Sequence, residues 1–119
     1  EHKKQVNEVQ NILGEVESAL REGRVEVISK FLSPQTYFSL SNGKSGYFSS
    51  NQAYYVLEDF FRIYQVTSFK FQNIQADENN PYATGVYNFE FKGKRSTAQV
   101  YVSLKKTGSS WKITQLTIN

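Results

Sequence analysis

The chain has 119 residues, a size typical of one domain, with a formal net charge of +3 and neither Cys nor Met. The absence of Cys excludes disulfides, thiolate metal sites and thiol nucleophiles, and we expect no cofactor. No run approaches the ~18 apolar residues of a membrane-spanning helix. Because position 1 is Glu1, we expect that a segment such as a signal peptide was removed upstream of it.

The basic residues are scattered, which argues against a nucleic-acid partner. Their densest group, Lys92, Lys94 and Arg95, surrounds Gly93 in a predicted hairpin turn. Solvated charge is the ordinary expectation at such a turn.

Two amphipathic helices are predicted at the start of the chain. Apolar residues recur at alternating spacings of three and four along the first helix: Val6, Val9, Leu13, Val16 and Leu20. Gly23 supplies the stop just past it. The second helix is predicted over about Val25 to Leu32 and ends before Pro34, which restricts the residue in front of it.

A short hairpin and a third helix follow. Residues 36–40 alternate loosely, Asn42-Gly43 marks a turn, and Tyr47-Phe48 begins the return strand. Ser49 followed three residues later by Gln52 fits a capping box, so the stretch SSNQAYYVLEDFFRIY is predicted to be a helix. Its apolar face comprises Ala53, Val56, Leu57, Phe60, Phe61 and Tyr64.

The rest of the chain alternates with a period of two, as strands with one buried face do. The apolar positions are Phe69 and Phe71, then Tyr87, Phe89 and Phe91, then Ala98, Val100, Val102 and Leu104, and finally Trp111, Ile113, Leu116 and Ile118. The step from Ile113 to Leu116 breaks the period and predicts a bulge that bends the sheet. The order α-α-β-β-α-β-β-β-β predicts a single α+β domain over residues 1–119, with a mainly antiparallel sheet and helices on one face.

This order resembles the nuclear transport factor two-like, or cystatin-like, superfamily. The resemblance rests on Ala19-Leu20-Arg21-Glu22-Gly23 and on the closing strand Trp111-Lys112-Ile113-Thr114-Gln115-Leu116-Thr117-Ile118. It implies a strongly bent, cone-shaped sheet wrapped around a long N-terminal helix. More narrowly, Gly46-Tyr47-Phe48-Ser49-Ser50-Asn51-Gln52-Ala53 with Leu57-Glu58-Asp59-Phe60-Phe61 resembles an uncharacterised bacterial family within it. That resemblance implies an exported protein, periplasmic or secreted.

Enzymes of the superfamily, such as steroid isomerases and polyketide cyclases, place an Asp or His inside the cone, often beside a Tyr. The only histidine here is His2, which we expect to be chemically idle at the terminus. Glu90 alternates with the aromatic face of its strand, and Asp59 is spaced to pair with Arg62. An isomerase-like or cyclase-like enzyme using Tyr and a lone carboxylate therefore stays as the alternative to a non-catalytic domain.

Binding is the function favoured by abundant aromatic residues. A small apolar ligand is predicted to lie in the cone, although the same side chains are also suited to filling a core: Phe38, Tyr87, Phe89, Phe91 and Trp111. Tyr55 and Tyr101 lie off the apolar faces and are predicted to contact a protein partner. Homodimerisation through the sheet is compatible with either prediction.

Overall fold

The computed structural model describes residues 2–119 apart from the side chain of His2, so the expectation about His2 lies outside the described part. The elements are α1 (His2–Glu22), α2 (Val25–Ser29), β1 (Leu32–Leu40), β2 (Ser45–Ser49), α3 (Ser50–Ile63), β3 (Gln65–Gln75), β4 (Tyr82–Phe91), β5 (Lys94–Thr107) and β6 (Ser110–Ile118). The predicted α+β order is confirmed.

The six strands form one sheet in the order β2-β1-β6-β5-β4-β3. All neighbours are antiparallel except β1 and β6, which run parallel. Ser103 faces Gln115 while Leu104 faces Ile113, so Thr114 is an extra residue on β6. The predicted bulge is confirmed, and further register shifts between β1 and β6 and between β3 and β4 add to the bend.

The predicted second helix is wrong in its length, because α2 ends at Ser29 and Leu32 belongs to β1. The Ile113 amide donates a hydrogen bond to the Phe31 carbonyl at 2.6 Å. The chain is therefore already held against β6 at the point where the helical pattern predicted another turn.

Strand β1 is accordingly longer than the predicted segment, which began at Thr36. Pro34 lies inside it, in the part where pairing with β6 shifts register between Leu32 and Tyr37. A proline lacks the amide hydrogen of a regular ladder, so this irregular section is where a strand accommodates it.

The predicted end of α1 and the predicted start of α3 are confirmed by their caps. Gly23 follows α1 with φ of 67°, a left-handed conformation that favours glycine. The Ser49 hydroxyl accepts from the Gln52 amide, and the Gln52 side chain accepts from the Ser49 amide.

The helices pack on one face of the sheet, called here the inner face. Along β4 this face is formed by Ala83, Gly85, Tyr87 and Phe89, all buried. Two side chains of α1 bond to the sheet: the Glu17 carboxylate accepts from the Phe71 amide at 2.8 Å, and the indole Nε1 of Trp111 donates to Glu8 at 3.4 Å. The long helix is thereby fixed against the concave side.

Gly85 allows an especially close approach between β3 and β4. A Cβ atom at this position would lie 2.4 Å from the Lys70 carbonyl oxygen and 3.1 Å from the Phe69 ring. Since the nearest atom belongs to the backbone, no side-chain movement removes the conflict. The inner face has no space here even for a methyl group.

Candidate functional site

The centre of the cone is filled by aromatic side chains packed around Tyr87. This residue is fully buried, and its ring centroid lies about 6 Å from those of Phe60, Phe61 and Phe89. Its hydroxyl donates to the Tyr64 carbonyl at 2.9 Å. Burial raises the pKa of the Tyr87 hydroxyl, so this group stays neutral.

The five residues predicted to line a ligand site are distributed over three places. Phe38 and Tyr87 are fully buried in the core. Trp111 is 7% exposed and lies at α1 beside Glu8. Only Phe89 and Phe91 come together, at a surface depression of about 450 Å³.

That depression lies between the end of α3 and the β4–β5 hairpin. Its lining, called here the mouth cluster, consists of Tyr64, Phe89, Phe91, Lys92, Lys94, Arg95 and Ser96. The Tyr64 ring stacks between Phe60 at 4.6 Å and Phe91 at 4.7 Å, with interplanar angles of 18° and 8°. An aromatic stack therefore runs from the buried Phe60 to the half-buried Phe91 at the surface.

The hairpin turn sets the positions of the cations at the mouth cluster. Lys92 and Gly93 both have positive φ, 52° and 79°, in a two-residue turn that makes Phe91 and Lys94 direct partners. Partners in register share a face of the sheet, so Lys94 lies on the side of Phe91. The Lys92 ammonium lies 5.2 Å from the Phe91 ring centroid, within cation–π range.

The outer face of the sheet has a different composition. Register places two complete rows of outer-face residues across all six strands, called here the uncharged face: Tyr47, Tyr37, Gln115, Ser103, Tyr82 and Gln75 in one row, and Ser45, Ser39, Thr117, Tyr101, Thr84 and Asn73 in the next. None of these residues carries a charge, in a chain of which 21% is Asp, Glu, Lys or Arg. Four tyrosines lie in two pairs on it, with centroids 5.2 Å and 5.7 Å apart.

The two tyrosines predicted to contact a partner lie on different surfaces. Tyr101 stacks on Tyr82 within the uncharged face. Tyr55 is 65% exposed on α3, where its ring meets the edge of Tyr54. Since α3 packs on the inner side of the sheet, one flat partner surface does not cover both residues.

The carboxylates of the enzyme hypothesis lie in solvent. Glu90 is exposed on the outer side of β4. Asp59 accepts from Arg62 at 2.8 Å, as predicted, with its side chain 64% exposed. The buried tyrosine hydroxyl is engaged by the Tyr64 carbonyl, so neither carboxylate shares a closed pocket with it.

Among the side chains of residues 3–119, no group of three or more Asp or Glu residues is arranged to hold a metal ion. In the same part of the chain, no helix combines the length and the apolar character needed to cross a membrane.

The bent six-stranded sheet, its strand order and the helices on its inner face give this α+β domain a nuclear transport factor two-like fold. The family described as "Domain of unknown function (DUF4783)" matches residues 13–119, and the chain belongs to it. No functionally curated protein matches the sequence.

Solved structures agree with the fold. A DUF4783 family protein from Bacteroides uniformis has a TM-score of 0.80 and 20% identity, covering 89% of this chain and 94% of that one. A second, from Bacteroides ovatus, gives 0.76 and 19%, covering 87% and 90%. A nuclear transport factor two-like protein of unknown function from Shewanella oneidensis gives 0.66 and 14%, covering 94% and 96%.

Sequence reasoning assigned three members of the mouth cluster to other roles. Tyr64 was predicted as core, whereas it is half-buried and links the core to the surface. The sequence favours solvated turn charges at Lys92 and Lys94, whereas in the structure they border the half-buried rings of Tyr64 and Phe91. The feature of the sequence that points to these lysines is their position directly after the alternating aromatic residues of β4.

Proposed function

We propose that this chain is a non-catalytic interaction domain whose uncharged face pairs with the same face of a second copy. The single observation that carries the proposal is the pair of uncharged rows crossing the whole sheet. Charged residues are the main protection of a protein surface against association, and they are depleted at the centres of interfaces.

The side chains of the uncharged face suit pairing with themselves. Tyr, Ser, Thr, Gln and Asn each offer both a donor and an acceptor, so identical rows related by a two-fold axis complement one another. Tyrosine also supplies rigid contact area and is enriched among the residues that dominate binding energy. A cluster of one charge sign would instead repel its own copy.

The uncharged face is large enough to form the centre of such a pairing. Its two rows cross six strands about 4.8 Å apart and extend about 13 Å along them, so they cover on the order of 400 Å². A stable interface of standard size buries about 800 Å² on each partner. The two rows therefore supply about half of such a contact, and the rest of the outer face surrounds them.

The other functions weighed from the sequence have less support. A ligand held deep in the cone would need the space that Phe38 and Tyr87 fill. The isomerase-like or cyclase-like alternative would need a carboxylate other than Glu90 or Asp59, since both lie in solvent. Export to the periplasm or the medium stays a prediction.

Sedimentation equilibrium tests the proposal over protein concentrations up to about 500 µM. The wild-type chain is expected to form a dimer, and Thr117→Lys is expected to weaken it at least about 100-fold because two unpaired charges are buried at the centre. Tyr101→Ala should also weaken it, while Tyr55→Ala, the matched control on α3, should not. A wild-type chain that stays monomeric at the highest concentration would refute the pairing.

A further inference from the structure

We propose that the mouth cluster binds a small anionic ligand with a flat aromatic body, an aromatic carboxylate being the simplest example. This site lies at the β4–β5 hairpin and on the inner side of the sheet, so the inference is independent of pairing through the outer face.

The aromatic rings of the mouth cluster remain partly accessible at the edge of the core. Phe89 is 6% exposed and meets Tyr64 edge to face at 5.3 Å. Tyr64 and Phe91 are half-buried, and their stacked rings are nearly parallel. Together they form a preordered wall of rings against which a flat ligand packs without first ordering the side chains.

The charge around that wall is positive. Three of the seven lining residues, Lys92, Lys94 and Arg95, are cationic, and none is acidic. Arg95 faces Glu90 across the hairpin, whereas Lys94 faces the uncharged Phe91. No salt bridge found between the described residues involves Lys92 or Lys94. An anion at the mouth cluster therefore supplies a partner for these two lysines.

The shape of the depression suits a small molecule. Its volume of about 450 Å³ lies in the range of small-molecule sites, whereas an extended polymer or a flat membrane needs a longer surface. Lys94 and Ser96 face Phe91 and Phe89 across the hairpin, so charge and hydroxyl lie beside the rings. This arrangement selects one molecule that has both an anionic end and a flat apolar body.

Neither half of that ligand is sufficient by itself. A bare phosphate would meet flexible lysines without the convergent backbone amides that make a phosphate cradle. A neutral apolar ligand would desolvate the cations without pairing them. The aromatic carboxylate satisfies both parts of the site at once.

The test uses 2-naphthoate as the probe, with 2-naphthamide and inorganic phosphate as comparisons, in NMR titrations of the intact chain. We expect saturable 2-naphthoate binding with shifts concentrated on Tyr64, Phe89 and Phe91. The uncharged amide should bind at least about threefold more weakly because it loses one partly exposed charge pair. Phosphate should bind at least about threefold more weakly because it loses the stacking on the rings. Equal binding of the amide would refute the role of the cations, and equal binding of phosphate would refute the role of the rings.

Two variants of the same strand sharpen the result. Lys94→Gln should weaken 2-naphthoate about threefold without affecting folding, because the residue is exposed at a hairpin end. Lys105→Gln makes the same charge change near the other end of β5 and should leave binding unchanged. Equal weakening by both variants, or ring shifts at Trp111 in place of the mouth cluster, would overturn the assignment.

Discussion

The two faces of the sheet carry aromatic residues of different kinds. The inner face holds mainly Phe, and its tyrosine, Tyr87, is fully buried with its hydroxyl bonded to a carbonyl. The aromatic residues of the outer rows are all tyrosines: Tyr37, Tyr47, Tyr82 and Tyr101. A ring used only for packing needs no hydroxyl, whereas a ring at a wet or shared surface uses one. The inner face thus packs against elements of its own chain, and the outer face carries side chains suited to contact with another surface.

The largest expected effect tests how completely the inner face is filled. Gly85→Ala should destabilise the domain by about 1–3 kcal/mol, because the added methyl group meets the Lys70 carbonyl oxygen. Urea unfolding followed by the fluorescence of Trp111, the single tryptophan, measures the free energy of unfolding.

Gly14 provides the matched control, since a Cβ there meets no atom within 4 Å. It lies inside α1, where replacing Gly by Ala should stabilise the domain by about 0.5–1 kcal/mol. If Gly→Ala destabilises the domain at position 85 but stabilises it at position 14, the steric conflict is specific to the inner face. A neutral Gly85→Ala would contradict the filled interior.

An intermediate effect concerns the buried hydroxyl of Tyr87, whose pKa is raised by burial. The unfolded chain loses this proton near the ordinary tyrosine pKa of about 10, while the folded chain retains it. The stability that the group contributes is therefore complete below about pH 10 and is lost progressively as the pH rises above that value. At pH 11 the loss is about 1.4 kcal/mol.

Tyr87→Phe removes this dependence along with the hydrogen bond, which is worth about 0.5–1.5 kcal/mol at neutral pH. The stability of the wild type relative to the variant should therefore fall by about 1.4 kcal/mol between pH 9 and pH 11, which closes or reverses the difference present at neutral pH. Lysine titration is common to both proteins and cancels in the difference. A pH-independent stability difference between wild type and Tyr87→Phe would exclude a buried hydroxyl held neutral.

Local signals predict much of the fold because the deciding interactions are close in sequence. The capping box at Ser49 and the broken period after Ile113 depend on neighbours within a few residues, and both predictions are confirmed. The end of α2 was predicted wrongly because the Phe31 carbonyl bonds to Ile113, far along the chain. Long-range pairing of this kind leaves no local pattern.

The candidate sites show the same limit. The uncharged face requires the register of all six strands, since its members are dispersed from Tyr37 to Thr117. The mouth cluster joins Tyr64 at the end of α3 to a hairpin some thirty residues later. The sequence predicts that aromatic residues are abundant, and only the fold distinguishes those consumed by packing from those left at a surface.

The smallest expected effect separates the faces on one strand. Thr117→Lys should change the unfolding free energy by no more than about 0.5 kcal/mol when measured at a protein concentration low enough to keep the chain monomeric. Its neighbour Ile118 is fully buried on the inner face, and Ile118→Val should cost about 0.5–1.5 kcal/mol. If the substitution leaves the stability of the monomer nearly unchanged but strongly weakens dimerisation, Thr117 serves association alone. Strong destabilisation of the monomer by Thr117→Lys would instead mean that the outer rows contribute to the stability of the single chain, and the contrast between the two faces would fail.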